Sequence, residues 1–154
     1  MIREFDKLSA TETELMIKAP ILVCILIAGA DGNIDRKEIQ GAIEQARKKQ
    51  ARTDANLLEF YQYVGEDFED KLKVLIQSYP SKPQQRNPLI VEELSSLNKL
   101  LPRLDASFAL AFYQSIKEIA QKTAESSGGL LGLNKVGEEE SQYLGLPMIK
   151  DPSL

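Results

Sequence analysis

The chain has 154 residues, a formal net charge of −4 and no histidine. This charge gives it no general attraction to nucleic acid or to an anionic membrane. The lack of histidine excludes imidazole general-base chemistry and Ser-His or Cys-His nucleophilic sites. Any bound metal is therefore expected to have oxygen ligands, which favours hard cations such as Ca²⁺ or Mg²⁺.

The length predicts one domain that spans residues 1–154 and has a sizeable core. The longest apolar run, Ala19–Ala30, is too short to span a bilayer, so we expect no direct membrane insertion. The polar start of the chain does not look like a signal peptide. The single cysteine, Cys24, lies among aliphatic residues and is predicted to be buried and unreactive. These features favour a cytoplasmic protein.

The beginning of the chain predicts a short amphipathic segment followed by a central core helix. Residues 1–9 carry apolar side chains at helical spacing. Ser9 or Thr11 is expected to cap the next helix, which extends through the apolar run to Ala28. Pro20 either kinks this helix or begins a second segment. A helix that is apolar on every side is typical of the middle of a bundle.

Three amphipathic helices are predicted between residues 35 and 79. The first follows Asp35 as its N-cap, the second follows Thr53 or Asp54, and the third follows Gly65. Their apolar faces are formed in turn by Ile39, Ala42, Ile43 and Ala46, by Leu57, Leu58, Tyr61 and Val64, and by Phe68, Leu72, Leu75, Ile76 and Tyr79.

The segment Pro80–Pro88 contains three prolines and predicts a loop between two halves of the chain. Asn87 and Pro88 are then expected to be the N-cap and the first residue of a helix with Ile90, Leu94, Leu97, Leu101 and Leu104 on its apolar face. Asp105 is expected to cap a long last helix. Since strand patterns are nearly absent, the sequence predicts an all-α, single-domain bundle of about seven or eight helices.

An acidic turn follows the core helix. From Asp31 to Glu38 the spacing D-G-x-I-D-x-x-E matches the second half of an EF-hand loop. The first half is missing, because Ile27 and Gly29 stand where oxygen ligands are needed, so this is not an EF-hand. It is a helix–acidic turn–helix unit that could hold a cation with ligands from elsewhere. Alternatively, Asp35 and Glu38 form only a capping box.

A second stretch, residues 126–140, repeats this arrangement late in the chain. A long apolar helix is again followed by a glycine-containing turn and a helix with an acid at its third position. At a constant offset of 102 residues, the pairs are Ile34 with Val136, Asp35 with Gly137 and Glu38 with Glu140. The repeat predicts a pseudo-duplicated helix–turn–helix unit. Because the first turn has too few ligands for a hard cation, we expect one shared metal site, formed by Asp31, Asp35, Glu38, Glu139 and Glu140.

The two motifs resemble those of the tellurite-resistance TerB-like proteins. The resemblance rests on Ala30–Glu38 and Ser127–Glu140 and, with the helical pattern between them, spans nearly the whole chain. The positions that match the family pattern are Asp31, Gly32, Asp35, Glu38, Gly128, Gly129, Gly132, Glu139 and Glu140. The second turn departs from an acidic pattern, since Leu133, Lys135 and Gly137 stand where Asp31, Asn33 and Asp35 stand in the first. This departure favours one shared site, or none, over two.

The resemblance implies an all-helical domain related to the helical domain of certain DnaJ-like co-chaperones. It also implies a role in metal or oxyanion stress response, with acidic residues that bind a divalent cation and with contacts to a protein partner. We therefore expect a non-enzymatic cation-binding and interaction module with no catalytic residues, no organic cofactor and no nucleic-acid partner. The alternative is a purely structural helical adaptor whose acids only cap helices.

Overall fold

The computed structural model describes residues 3–28, 36–50, 55–128 and 142–154. Every regular element in these ranges is helical, so the predicted all-α fold is confirmed. The α-helices are α1 (Ala10–Ala28), α2 (Arg36–Gln50), α3 (Ala55–Gly65), α4 (Phe68–Ser78), α5 (Pro83–Ser95), α6 (Leu97–Leu100) and α7 (Ala106–Gly128). Two 3₁₀ helices, Arg3–Lys7 and Leu101–Arg103, precede α1 and α7.

Helix α1 is the centre of the bundle, as its uniformly apolar sequence predicts. Every residue from Ala19 to Ala28 is buried, and the helix packs against all six of the others. Pro20 lies inside this helix and does not end it, so α1 is one continuous element. None of the described helices is both long and apolar enough to cross a membrane.

The start of α1 is a reciprocal capping box. The backbone N–H of Ser9 donates to Glu12 Oε1 at 2.8 Å, and the N–H of Glu12 donates to Ser9 Oγ at 3.2 Å. Two backbone donors that the helix leaves unpaired are therefore satisfied by side chains. Of the two predicted caps, Ser9 and Thr11, the structure selects Ser9.

The predicted loop Pro80–Pro88 is wrong in its second half. Helix α5 already begins at Pro83, after Lys82 in extended conformation, and Pro88 lies within the helix. Proline is favoured at a first helical position because its fixed φ suits the helix and its missing N–H would be unpaired there anyway. The sequence reading assigned that position to Pro88 instead of Pro83.

Burial explains why α5 starts early. Arg86 and Asn87, which fell in the predicted loop, are 4% and 5% exposed. Further along the helix, Ile90 and Leu94 are fully buried, and α5 packs on α1. This packing offsets the hydrogen bond to the carbonyl of Gln84 that Pro88 cannot donate.

The helix that was predicted to carry Ile90 to Leu104 on one apolar face is divided into three elements. Helix α5 ends at Ser95, α6 ends at Leu100, and the 3₁₀ helix that contains Pro102 follows it.

The predicted cap of α7, Asp105, is confirmed. Hydrogen bonds from the Ser107 hydroxyl and then from the Phe108 backbone N–H hold the pKa of the Asp105 carboxyl below its usual value.

The C-terminal segment is attached to α6 by one amide side chain. Asn98 Nδ2 donates to the carbonyl of Met148 at 2.9 Å, and the N–H of Lys150 donates to Asn98 Oδ1 at 2.7 Å. Leu146 and Ile149 are buried in the core. Residues 142–154 therefore belong to the same hydrophobic core as the helices.

Candidate functional site

Helices α1 and α7 are joined at their N-terminal ends. The backbone N–H of Asp105 donates to Oε2 of the buried Glu4 at 3.0 Å. Arg103 donates to Glu12 Oε2 at 2.5 Å and to the carbonyl of Lys7 at 2.8 Å. The residue before α7 and the segment before α1 are thus in direct contact.

The same two helices also meet near their C-terminal ends. Cys24 Sγ lies 3.6 Å from Thr123 Oγ1, four residues before α1 ends at Ala28 and five before α7 ends at Gly128. With both pairs of ends adjacent, α1 and α7 run in the same direction. Ala28 and Gly128, the last residues of the two helices, therefore lie toward the same end of the bundle.

One predicted metal ligand, Glu38, lies among the described residues. It is half-buried in the first turn of α2 and lines a groove of about 340 Å³. The opposite wall of this groove is the last part of α7, where Lys122 and Glu125 lie. We call it the Glu38 groove; its remaining lining residues are Gly41, Ala42 and Gln45. Glu38 thus lies beside the end of the helix that leads into the second motif.

The other four predicted ligands, Asp31, Asp35, Glu139 and Glu140, lie outside the described residues. Helix α2 begins at Arg36, as the predicted cap position of Asp35 requires. Within the described ranges, no three acidic or cysteine side chains form a group that could hold a metal ion. The predicted five-carboxylate site therefore stays a prediction, with Glu38 as its one described member.

Cys24 is unsuited to nucleophilic chemistry, as predicted. It is fully buried, and burial raises the pKa of its thiol to about 12, with the nearby Thr123 hydroxyl acting weakly in the opposite direction. The thiol is consequently neutral at physiological pH, whereas thiolate is the reactive form.

A second buried polar contact links α3 to α7. The hydroxyls of Tyr61 and Ser115 are 2.6 Å apart, and the Ser115 hydroxyl donates to the carbonyl of Phe112 at 2.7 Å. Because a hydroxyl has one proton to give, Tyr61 is the donor in the first bond. Burial is the main cause that raises the pKa of Tyr61. Both side chains are satisfied, which fits a structural role.

A partly buried cluster joins three other helices. The Tyr79 hydroxyl, just after α4, donates to Glu93 of α5, and Lys18 of α1 forms an ion pair with the same carboxylate. Burial is the main cause that raises the pKa of Tyr79, and the hydrogen bond to Glu93 is the second. All three polar groups have partners in the cluster, so it too fits a structural role.

Sequence reasoning missed the α7 side of the Glu38 groove. Lys122 and Glu125 belong to no motif, and the sequence analysis predicted no role for them. Their place beside Glu38 depends on how α7 is rotated against α2, which the pattern of a single helix does not define.

No family model, no curated protein and no solved structure matches this chain.

Proposed function

We propose that the chain is a TerB-like, non-enzymatic module of stress response that binds one divalent cation between its two glycine turns and contacts a protein partner. The observation that carries this proposal is the parallel arrangement of α1 and α7. It brings the last residues of α1 and α7 to one end of the bundle, and the two glycine turns follow these helices in the sequence, which supports a shared site. The proposed compartment is the cytoplasm.

The number of oxygen ligands that a hard cation needs supports a site shared by the two turns. A hard cation such as Ca²⁺ takes about six to eight oxygens, whereas Asp31, Asp35 and Glu38 supply three side chains. Glu139 and Glu140 would supply the rest, with backbone carbonyls and water. Without a cation, several neighbouring carboxylates repel one another, and this repulsion raises the pKa of some of them.

The Glu38 groove supports this proposal because it contains Glu38, the one proposed ligand among the described residues. Glu38 and Glu125 place two carboxylates on its walls, and the Lys122 ammonium offsets part of their charge. A cation bound at this end would join the beginning of α2 to the end of α7, which already pack against each other.

The test is the effect of Ca²⁺ or Mg²⁺ on the melting temperature of chelator-stripped protein, with calorimetry of binding. At a cation concentration of 100 Kd, binding to the folded state adds about 2.7 kcal/mol to the free energy of unfolding. Asp31→Asn, Glu38→Gln and Glu140→Gln should each abolish this increase, while metal-free melting is unchanged or higher. The matched control is Glu92→Gln, an exposed acid on α5.

Combining Asp31→Asn with Glu140→Gln should add nothing further, since both remove the same site. If only the Asp31 change weakens binding, the second turn is a helix start and the shared site is wrong. Absence of any heat or melting response in the wild-type protein would favour the structural adaptor.

A further inference from the structure

A second groove lies between α1 and α4 and has a volume of about 340 Å³. We call it the α1–α4 groove. Ile17, Val74 and Leu75 form its apolar part. Val74 is 60% exposed, although large apolar residues on α4 are otherwise turned into the core. The volume is at the lower end of the range of about 300–1,000 Å³ that is typical of ligand-binding pockets.

The two lysines that line this groove already have partners in the protein. Lys71 Nζ donates to the carbonyl of Tyr63 at 2.9 Å and to that of Glu66, so its charge is held at the end of α3. Lys18 forms an ion pair with Glu93. Both ammonium groups are thus directed to acceptors on other elements. Glu93 balances the charge of Lys18, whereas the carbonyls that Lys71 binds are neutral and leave its positive charge in place.

The two acids of the groove, unlike Lys18, have no partner of opposite charge in the described ranges. Glu14 and Asp70 are exposed, and within the described part of the chain neither is paired with a cation. Asp70 also ends an exposed acidic run in which Glu66, Asp67 and Glu69 precede it. The groove therefore combines an apolar floor with a rim of net negative charge, on which Glu14 and Asp70 outnumber the one uncompensated ammonium, that of Lys71.

We propose that the α1–α4 groove is the docking site for a basic amphipathic helix of the protein partner. An amphipathic helix fits a channel between two helices and places apolar side chains three and four residues apart on its floor. Lysine or arginine beside that stripe would face Glu14 and Asp70, and such complementarity fixes orientation and speeds encounter. Phosphate-bearing partners, by contrast, would be repelled by this rim.

This inference rests on the protein-interaction part of the proposed function and is independent of its cation site. The probe is a synthetic leucine–lysine peptide of about 18 residues with leucine at positions i, i+3, i+4 and i+7. A scrambled peptide of the same composition and a leucine–glutamate peptide with the same spacing are the peptide controls. Binding to the 154-residue protein is measured by fluorescence anisotropy.

Val74→Gln should weaken peptide binding by about tenfold, because a neutral polar side chain replaces the most exposed apolar contact and leaves the charge of the rim unchanged. Its matched control is Leu89→Gln, where a 45% exposed leucine on α5 lies outside the groove and binding should stay within about twofold. Both positions are at the surface, so melting curves are expected to show that both variants fold.

The double variant Glu14→Gln/Asp70→Asn should weaken binding by about threefold to tenfold and reduce its dependence on salt. Its charge-matched control is Asp6→Asn/Glu92→Gln, two exposed acids that do not line the groove. An unchanged affinity in Val74→Gln, or equal binding of the scrambled or acidic peptide, would overturn the proposal.

The cation response of the same preparation is measured in parallel. If the peptide fails to bind while the cation still raises the melting temperature, the groove assignment is wrong and the cation site stands. If the cation has no effect while Val74→Gln still weakens peptide binding, the cation site is wrong and the groove stands.

Discussion

The two ends of the α1–α7 pair are held together by different chemistry. At the N-terminal end, carboxylates accept hydrogen bonds from backbone and guanidinium groups, and the pKa values of Glu12 and Asp105 are lowered. Toward the C-terminal end, the helices meet through the buried thiol of Cys24, whose pKa is raised to about 12. The first end is therefore sensitive to acid and the second to alkali, and each can be weakened separately.

The largest expected effect on stability is that of alkali, which acts on Cys24 at the C-terminal end of the α1–α7 pair. An unfolded thiol ionises near pH 9.0, whereas the buried Cys24 keeps its proton until about pH 12. In that window the unfolded state binds fewer protons, so stability is complete below pH 9 and falls by about 1.4 kcal/mol for each pH unit above it. Urea unfolding between pH 7 and 10.5 measures this slope.

Cys24→Ser is the matched variant for that experiment, because serine does not ionise. Its slope between pH 9 and 10 should be clearly shallower than that of the wild type. Above pH 10 the raised pKa values of Tyr61 and Tyr79 contribute to the slope in both proteins. Identical slopes below pH 10 would mean that Cys24 is not buried as described.

Removing Glu4 should have the largest effect on the N-terminal end at neutral pH. Glu4→Ala deletes the acceptor of the Asp105 N–H and is expected to lower the free energy of unfolding by about 2 kcal/mol. Glu4→Gln keeps an acceptor and should cost less. Asp6→Ala, an exposed change nearby, should be close to neutral. Chemical denaturation measures all three; equal values for Glu4→Ala and Asp6→Ala would contradict the assigned contact.

The smallest expected effect concerns Glu12 in acid. The Ser9 backbone N–H is the main cause that lowers its pKa below 4.5, with a further contribution from Arg103. A depressed pKa adds stability above pH 4.5 that is lost as the pH falls through the folded-state value. Melting temperatures between pH 6 and 3 should therefore fall less steeply for Glu12→Gln than for wild type. The control, Glu14→Gln on the same helix, should follow the wild-type curve.

Most helices could be predicted because their apolar faces repeat at helical spacing. The core position of α1 followed from its uniformly apolar sequence, and the caps Ser9 and Asp105 followed from local side-chain chemistry. Pro83 and Pro88 misled the reading because proline marks both loops and helix starts. The correct choice between them depended on the burial of Arg86 and Asn87, which is a property of the fold.

Contacts between distant residues could not be predicted. Arg103 and Glu12 are 91 positions apart, and Asp105 and Glu4 are 101 apart. No periodicity within one segment indicates such a pair. For the same reason Glu38 was predicted as a site residue from its own turn, whereas Lys122 and Glu125 beside it were not. A sequence motif indicates the site residues of one helix or turn, whereas the site residues of a neighbouring helix depend on how the two helices pack.

The two oxygens of Glu12 connect local and long-range order in this molecule. One oxygen accepts from the Ser9 N–H within the first turn of α1, and the other accepts from Arg103 before α7. Fixing the side chain costs rotamer entropy once, yet it serves both interactions. Formation of the first turn of α1 therefore also prepares the contact with the segment before α7. The capping of α1 and the contact with the segment before α7 are thereby coupled through one side chain.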